Sequence, residues 1–437
     1  MIDEMILYTN FRESPLLGSM DPWLRYEGEK KGFRWREELF LESNRPLVYH
    51  WIQLLTESAG RYGFRGNLWH CCLTDLLVKG ENSYSVACEG RGAIEGTVNA
   101  MALHDLTLVH HLMRLDFGEL AEGHKVPELL LCMAYVPSAQ ESGFYNKRIC
   151  GVLSDLAMEL GRAKDPEDMK TRITEFYRCF GVGKFGLHKS FRVISGEGEP
   201  QIVPILNIKH VKMSDLVGYE SAKAKLIENT DAFVEGRRTN NVLLFGDAGT
   251  GKSSCIKAIA NEYFDRGLRV IELYKHQFRD LNAIIAQIKQ RNYRFVIYMD
   301  DLSFEDFETD YKYLKAVIEG GLEKRPENVV IYATSNRRHL IRENFSDRDD
   351  DDKTGTDTVQ EKLSLSYRFG VTIYFGKPDK PQFQEIVRVL AAREGIDLPE
   401  DELLLEANKW ELSHGGLSGR TAQQFIDHLL GRRPADG

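Results

Sequence analysis

Over residues 1 to about 180, apolar residues recur three and four positions apart and strongly alternating runs are missing. Examples are Pro46-Leu47-Val48-Tyr49-His50-Trp51-Ile52-Gln53-Leu54-Leu55 and Leu106-Thr107-Leu108-Val109-His110-His111-Leu112-Met113. That period predicts amphipathic helices packed on one another. Between Phe180 and Pro204 the pattern lapses. Glycines gather at 181–186, and Ser195-Gly196-Glu197-Gly198-Glu199-Pro200 is small, acidic and proline-bearing, which reads as a linker. From Leu216 to Phe375 short β-rich runs alternate with helical patterns, as expected for βα units around a parallel sheet. The predicted strands are 242–245, 269–273, 295–300, 328–333 and 372–375. After Lys377-Pro378 helical periodicity returns, over 381–393, 401–410 and 418–430. The expected architecture is an α/β parallel-sheet core at 201–376 with a C-terminal helical lid at 377–437. A mainly helical N-terminal domain at 1–200 precedes them.

Where the first core strand ends, the chain reads Gly246-Asp247-Ala248-Gly249-Thr250-Gly251-Lys252-Ser253-Ser254, followed by a helix-forming segment. An apolar strand, a glycine-rich turn ending in Lys-Ser and then a helix form the context of a phosphate-binding loop. The glycines let backbone N–H groups curl around phosphate oxygens, and the helix start offers free N–H groups and a positive dipole end. Lys252 would reach the β- and γ-phosphates of ATP. Ser253 would place its hydroxyl on Mg²⁺, a cation that favours oxygen ligands. The later run Phe295-Val296-Ile297-Tyr298-Met299-Asp300-Asp301 ends in two carboxylates, one suited to hold the metal and one to activate water. The strand after it runs into Ser335-Asn336-Arg337-Arg338, which sets an amide beside Asp300.

On these segments the chain resembles the AAA+ ATPases, with Asn336 in the place of their sensor-1 residue. Three further segments carry the resemblance. Asp215-Leu216-Val217-Gly218-Tyr219-Glu220 looks like the adenine-side motif, Leu365-Ser366-Tyr367-Arg368-Phe369-Gly370 like the arginine-finger box, and Ser418-Gly419-Arg420-Thr421 like the start of the sensor-2 helix. More narrowly, Asp300-Asp301-Leu302-Ser303-Phe304, Ala333-Thr334-Ser335-Asn336-Arg337-Arg338-His339-Leu340 and Glu361-Lys362-Leu363-Ser364-Leu365-Ser366 resemble a bacterial AAA+ family catalogued as a domain of unknown function. The resemblance implies a Mg²⁺-dependent ATPase. Lys252, Asp300, Asp301, Asn336 and Arg368 would be catalytic, and Val217, Gly218, residues 246–254 and Arg420 would bind nucleotide. Ser253 and Asp300 would hold the metal. It also implies a homo-oligomer, because Arg368 of one subunit would complete its neighbour's site. Arg337, Arg338 and Arg348 compete for that role. Asp301 stands where many AAA+ motors carry Glu, so a nucleotide-gated scaffold with little hydrolysis is an alternative. Leu273-Tyr274-Lys275-His276 lacks the pore signature of protein-threading machines.

Composition adds bounds. The chain has 437 residues, formal net charge −9, and hydrophobic and charged fractions of 42% and 28%. That length suits more than one core. The net charge argues against binding nucleic acid by global electrostatics, although the Asp-Asp pair keeps a remodeller akin to replication initiators as a third reading. An acidic start and the lack of a membrane-length apolar run predict a cytoplasmic protein without a membrane partner. The seven scattered cysteines suggest reduced thiols. The N-terminal domain, with no catalytic constellation, is expected to recognise an unidentified protein partner. Three other patterns are set aside. The acidic segment 347–357 reads as a solvated loop, 181–186 matches a dinucleotide fingerprint but reads as a flexible interdomain turn, and His104, Asp105, His110 and His111 read as helix residues lacking a further convergent metal ligand.

Overall fold

The computed structural model describes residues 2–20, 45–137, 147–196, 198–206, 208–304, 311–319, 326–338, 340, 365 and 368–432. The acidic segment 347–357, Arg348, His339 and residues 366–367 beside Arg368 lie outside the described residues. Two compact units are present, Met1–His188 and Lys189–Gly437.

The first unit is helical. Its helices are α1 (Arg45–Tyr62), α2 (Leu68–Lys79), α3 (Ser83–Cys88), α4 (Val98–Met113), α5 (Phe117–Gly123), α6 (Lys147–Gly161), α7 (Pro166–Phe180) and α8 (Gly183–Leu187). Local signals set several starts: Asn67, Asn82, Asp116 and Asp165 accept backbone N–H groups of the first turns they precede. The apolar faces meet in one core that fully buries Trp51, Trp69, Tyr84 and Tyr177. Asp105 is buried on α4, and its carboxylate accepts from Ile6 N (2.8 Å), Leu7 N (2.7 Å) and Tyr8 N (3.0 Å). It ties the N-terminal segment to the core. His104 Nδ1 lies 3.1 Å from the same carboxylate, and His110 Nε2 lies 3.2 Å from the Ala163 carbonyl.

The stretch expected to be a linker is instead built into the fold. Gly181 ends α7 at φ +80°, Val182 N donates to the buried Glu89 carboxylate (3.0 Å), and α8 is packed inside the first unit. The segment 181–186 is therefore a buried turn entering a short helix, and it follows a helix where a dinucleotide site needs a strand. Beyond it, β1 (Ser190–Ile194) and β2 (Gln201–Pro204) pair antiparallel and join the sheet of the second unit. The division between units falls at His188 and Lys189, not near residue 200. Such short strands carry little periodic signal of their own; pairing of Ser190 with Val270 and Phe191 with Ile271 defines β1.

The second unit is an α/β sheet with order β2-β1-β4-β5-β6-β3-β7, parallel apart from the β1–β2 pair. Its other strands are β3 (Val242–Gly246), β4 (Leu268–Glu272), β5 (Arg294–Met299), β6 (Val329–Ser335) and β7 (Val371–Phe375). All five predicted strands are present, with ends shifted by one or two residues. Central β6 is buried throughout, whereas edge strand β7 alternates, burying Ile373 and Phe375 and exposing Thr372 and Tyr374. Connecting helices are α9 (Glu220–Val234), α10 (Lys252–Glu262), α11 (Leu281–Ile288) and α12 (Tyr311–Glu319). The C-terminal helices α13 (Lys380–Arg393), α14 (Glu400–Ser413) and α15 (Gly419–Gly431) share a separate apolar cluster around Phe383, Val387, Phe425 and Ile426. Among the described residues no helix is long and apolar enough to cross a membrane.

Candidate functional site

The carboxyl ends of the parallel strands are where an open α/β sheet leaves room for a ligand. There β3 runs into Gly246 at φ +133°, where any Cβ would collide with the Phe375 backbone. Gly249 (φ +75°) and Gly251 (φ +93°) bend the loop back, and Gly251 caps α10. Asp247 N donates to Phe375 O (3.0 Å), its Oδ2 accepts from Lys377 N (2.8 Å), and Thr250 Oγ1 donates to Asp247 O (2.8 Å). Ala248 is exposed, while Ser254 is half-buried in the first turn of α10.

Lys252 is only 6% exposed, and its ammonium bridges the loop. Nζ donates to Gly246 O (2.8 Å), Asp247 O (2.6 Å) and Asn336 Oδ1 (3.2 Å). Burial holds its pKa below the ordinary lysine value, against the opposing pull of Asp247, Asp301 and Asp300.

Asp300 follows β5 directly. One of its oxygens, Oδ1, accepts from Ser253 Oγ (2.8 Å), Tyr298 OH (2.6 Å) and Thr334 Oγ1 (2.6 Å). Burial works to raise its pKa, but these hydroxyls and the Asp301 backbone outweigh it and hold the carboxyl below the ordinary value. The next residue, Asp301, takes φ +50°, a left-handed conformation uncommon for a non-glycine residue. Its N donates to Thr334 Oγ1 (3.0 Å), and its Oδ1 accepts from Asn336 Nδ2 (2.8 Å). Asn336 thus joins the ammonium to the second carboxylate.

Around this centre, Leu216 Cδ2 stands 4.0 Å from where a Cβ on Gly251 would be, Gly218 has φ +79°, and Val217 packs on the lid cluster. Arg420 N donates to Gly249 O (3.3 Å), so the start of α15 rests on the phosphate loop. Arg368 is half-buried in the turn before β7. The parallel register pairs Val242 with Val371 and Gly246 with Phe375, which puts Arg368 at the opposite end of the sheet from the phosphate loop of its own chain.

Two participants were not singled out by spacing. Thr334 serves both carboxylates, and Tyr298 supports Asp300 from two residues before it. The register Met299↔Ala333 is what sets Thr334 beside Asp300. Period-2 alternation along β5 could have pointed to Tyr298; no local pattern could have pointed to Thr334.

Among known proteins, the chain is similar to the chromosomal replication initiator protein DnaA of Chloroflexus aurantiacus, 21% identical over 234 residues, or 53% of this chain and 47% of that protein. It is also similar to a replication factor C large subunit of Methanococcus vannielii, 26% identical over 227 residues, 50% of this chain and 39% of that one. The chain spans about half the length, or less, of these curated relatives. Among solved structures, the RuvB Holliday junction branch migration motor of Thermotoga maritima aligns at 15% identity with a TM-score of 0.36, covering 51% of this chain and 65% of that one. Residues 187–433, which hold the glycine-rich loop, both carboxylates, the sheet and the lid, match the family described as "Protein of unknown function (DUF815)", and the chain belongs to that family.

Proposed function

We propose that the protein is a Mg²⁺-dependent ATP hydrolase that couples ATP binding and hydrolysis to conformational change of a partner. One observation carries this reading: at the carboxyl ends of β3, β5 and β6, Lys252, Asn336 and Asp301 are joined by hydrogen bonds, and Thr334 links Asp301 to the Ser253–Asp300 pair. Loop N–H groups would bind the β-phosphate, and Lys252 would exchange its carbonyl partners for β- and γ-phosphate oxygens. Ser253 and Asp300 fit Mg²⁺, since both are hard oxygen donors and Asp300 is held ionised. Bound there, the ion would supply positive charge to the phosphate oxygens. Asp301 would take a proton from the attacking water, whose oxygen bonds to the γ-phosphorus as the bond to the ADP oxygen breaks; Asn336 would orient that water. Phosphate release in the presence of ATP and Mg²⁺, compared between the native chain and Lys252→Ala, tests the reading. Equal release by both would reject it.

The position of Arg368, far from its own loop, supports service to a neighbouring subunit in a homo-oligomer. A mixture of Arg368→Ala and Lys252→Ala chains should then recover activity that each lacks alone. No recovery, with ATP-independent monomers at every concentration, would remove the shared site. The N-terminal unit is the part we assign to recognition of a protein partner. Comparing proteins retained by the full chain and by residues 189–437 checks this; identical sets would sink it.

A second reading, a nucleotide-gated scaffold with little hydrolysis, is favoured by the hydrogen bond that holds Asp301 Oδ1 to Asn336. Tight ATP binding with negligible turnover would select it. A nucleic-acid remodeller draws support from the names of the curated relatives and is opposed by the net charge of −9. Salt-dependent DNA binding would favour it.

A further inference from the structure

We infer that Asp247 is a positioning residue that ties the phosphate loop to the connector between β7 and the lid, so that nucleotide in the loop sets the position of the lid; this rests on the ATP reading above. The loop grips the connector through both ends of this residue. Asp247 N donates to Phe375 O at 3.0 Å and its carboxylate accepts from Lys377 N at 2.8 Å, bracketing Gly376. A second tie reaches the same point from another element: Tyr219 OH donates to Gly376 O at 2.9 Å, and its ring lies 5.3 Å from that of Phe375. Tyr219 does so from a left-handed backbone conformation, φ +59°, which a non-glycine residue adopts at a cost and keeps where its surroundings hold it.

Lys377 continues the path into the lid. A Cβ on Gly416, in the turn before α15, would stand 3.0 Å from Lys377 Nζ, so the ammonium lies over that turn. On the other side, α13 begins at Lys380 and is fixed by reciprocal hydrogen bonds between Asp379 and Gln382. Only Pro378 separates the held residue Lys377 from that cap, which leaves little slack to absorb a displacement. The lid also touches the loop directly, where a Cβ on Gly249 would meet Ser418 Oγ at 3.0 Å.

The loop has a reason to move. The carbonyl of Asp247 accepts from Lys252 Nζ at 2.6 Å, and an ammonium recruited by phosphate would leave that carbonyl. The residue released on one side by nucleotide is therefore the residue that holds the connector on the other. A ligand shifts a conformational equilibrium by differential contacts in the two states, and the Asp247–Lys377 hydrogen bond supplies such a contact.

Hydrogen exchange of lid peptides in the full chain, with and without saturating ATP and Mg²⁺, tests the inference. In the native protein ATP should slow exchange in α13 and α15. Asp247→Ala should lose that slowing at saturating ATP. Asp247→Asn, whose amide oxygen still accepts from Lys377 N, should keep it. A response in Asp247→Ala equal to the native one overturns the inference, as does Asn behaving like Ala, which would assign the effect to charge. Should Asp247→Ala fail to fold, Tyr219→Phe, which loses only the hydroxyl tie to Gly376, carries the test, and an unaltered ATP response there overturns it. Calorimetric titration separates the two levels: a native chain that binds no ATP removes the ATP reading itself, whereas binding without the lid response removes only the coupling.

Discussion

Asp105 in the first unit and Asp300 in the second are both carboxylates held by three close donors, yet the donors differ in kind. Around Asp105 they are backbone N–H groups of residues 6–8, of which that of Tyr8 is buried. Around Asp300 they are the hydroxyls of Ser253, Tyr298 and Thr334, on rotatable side chains beside a glycine-rich loop. The same contrast runs through each unit. In the first, Tyr177 OH donates to Leu77 O and Glu89 accepts from Val182 N, so buried polarity closes the fold. In the second, Lys252, Asp301 and Asn336 are satisfied by loop carbonyls and by one another, and on the proposed reading those partners would give way to a ligand's oxygens. A buried polar group whose partners lie within a packed core is a structural fastening; one at the open end of a sheet is placed where a ligand could reach its partners.

If that distinction holds, changes at the two carboxylates and their surroundings must separate in binding and in stability. The largest effect is expected for Lys252→Ala, which should weaken ATP binding by roughly a hundredfold or more, since it deletes a charge-assisted contact to phosphate. Calorimetric titration checks this, and native affinity would move the site elsewhere. Asp301→Asn should follow, leaving ATP binding in place and lowering the rate of phosphate release by about 10²–10⁴, the usual contribution of a general base. Turnover like that of the native chain would assign the base to another group.

Asp105→Ala comes next and should act on stability alone. It strands the buried Tyr8 N–H, at about 1–3 kcal/mol, and should lower the unfolding midpoint of the first unit without altering the ATP titration. An equal loss of ATP affinity would blur the two classes. Smallest is Thr334→Val, which removes one hydroxyl from a charged acceptor that is itself exposed to solvent, so that screening holds the cost to about 1 kcal/mol near pH 7. Because the Asp300 pKa is depressed on folding, its stabilising contribution is fully present above the unfolded value of 3.8 and is lost as pH falls through the lower folded value. The penalty of Thr334→Val should therefore shrink in acid, as urea midpoints at neutral and acid pH would show. A penalty independent of pH would mean that Thr334 acts through the Asp301 N–H alone.

The conformation of the glycine-rich loop was legible because everything that sets it is local: an apolar strand, glycines where backbone must turn through positive φ, then Lys-Ser at a helix start. The same holds for Asp300 and Asp301, which end a continuous apolar run, and for the lid helices, whose 3.6-residue period needs no partner to be seen. Strands β1 and β2 escaped notice because they are short and lie beside glycines; β1 acquires its identity from β4, some eighty positions away, and β2 from β1. Thr334 beside Asp300, Lys377 beside Asp247 and Arg368 at the far end of the sheet depend on strand register and order. Those follow from which apolar faces pack together across the whole unit, and pairing over such separations leaves no mark in the spacing of neighbouring residues.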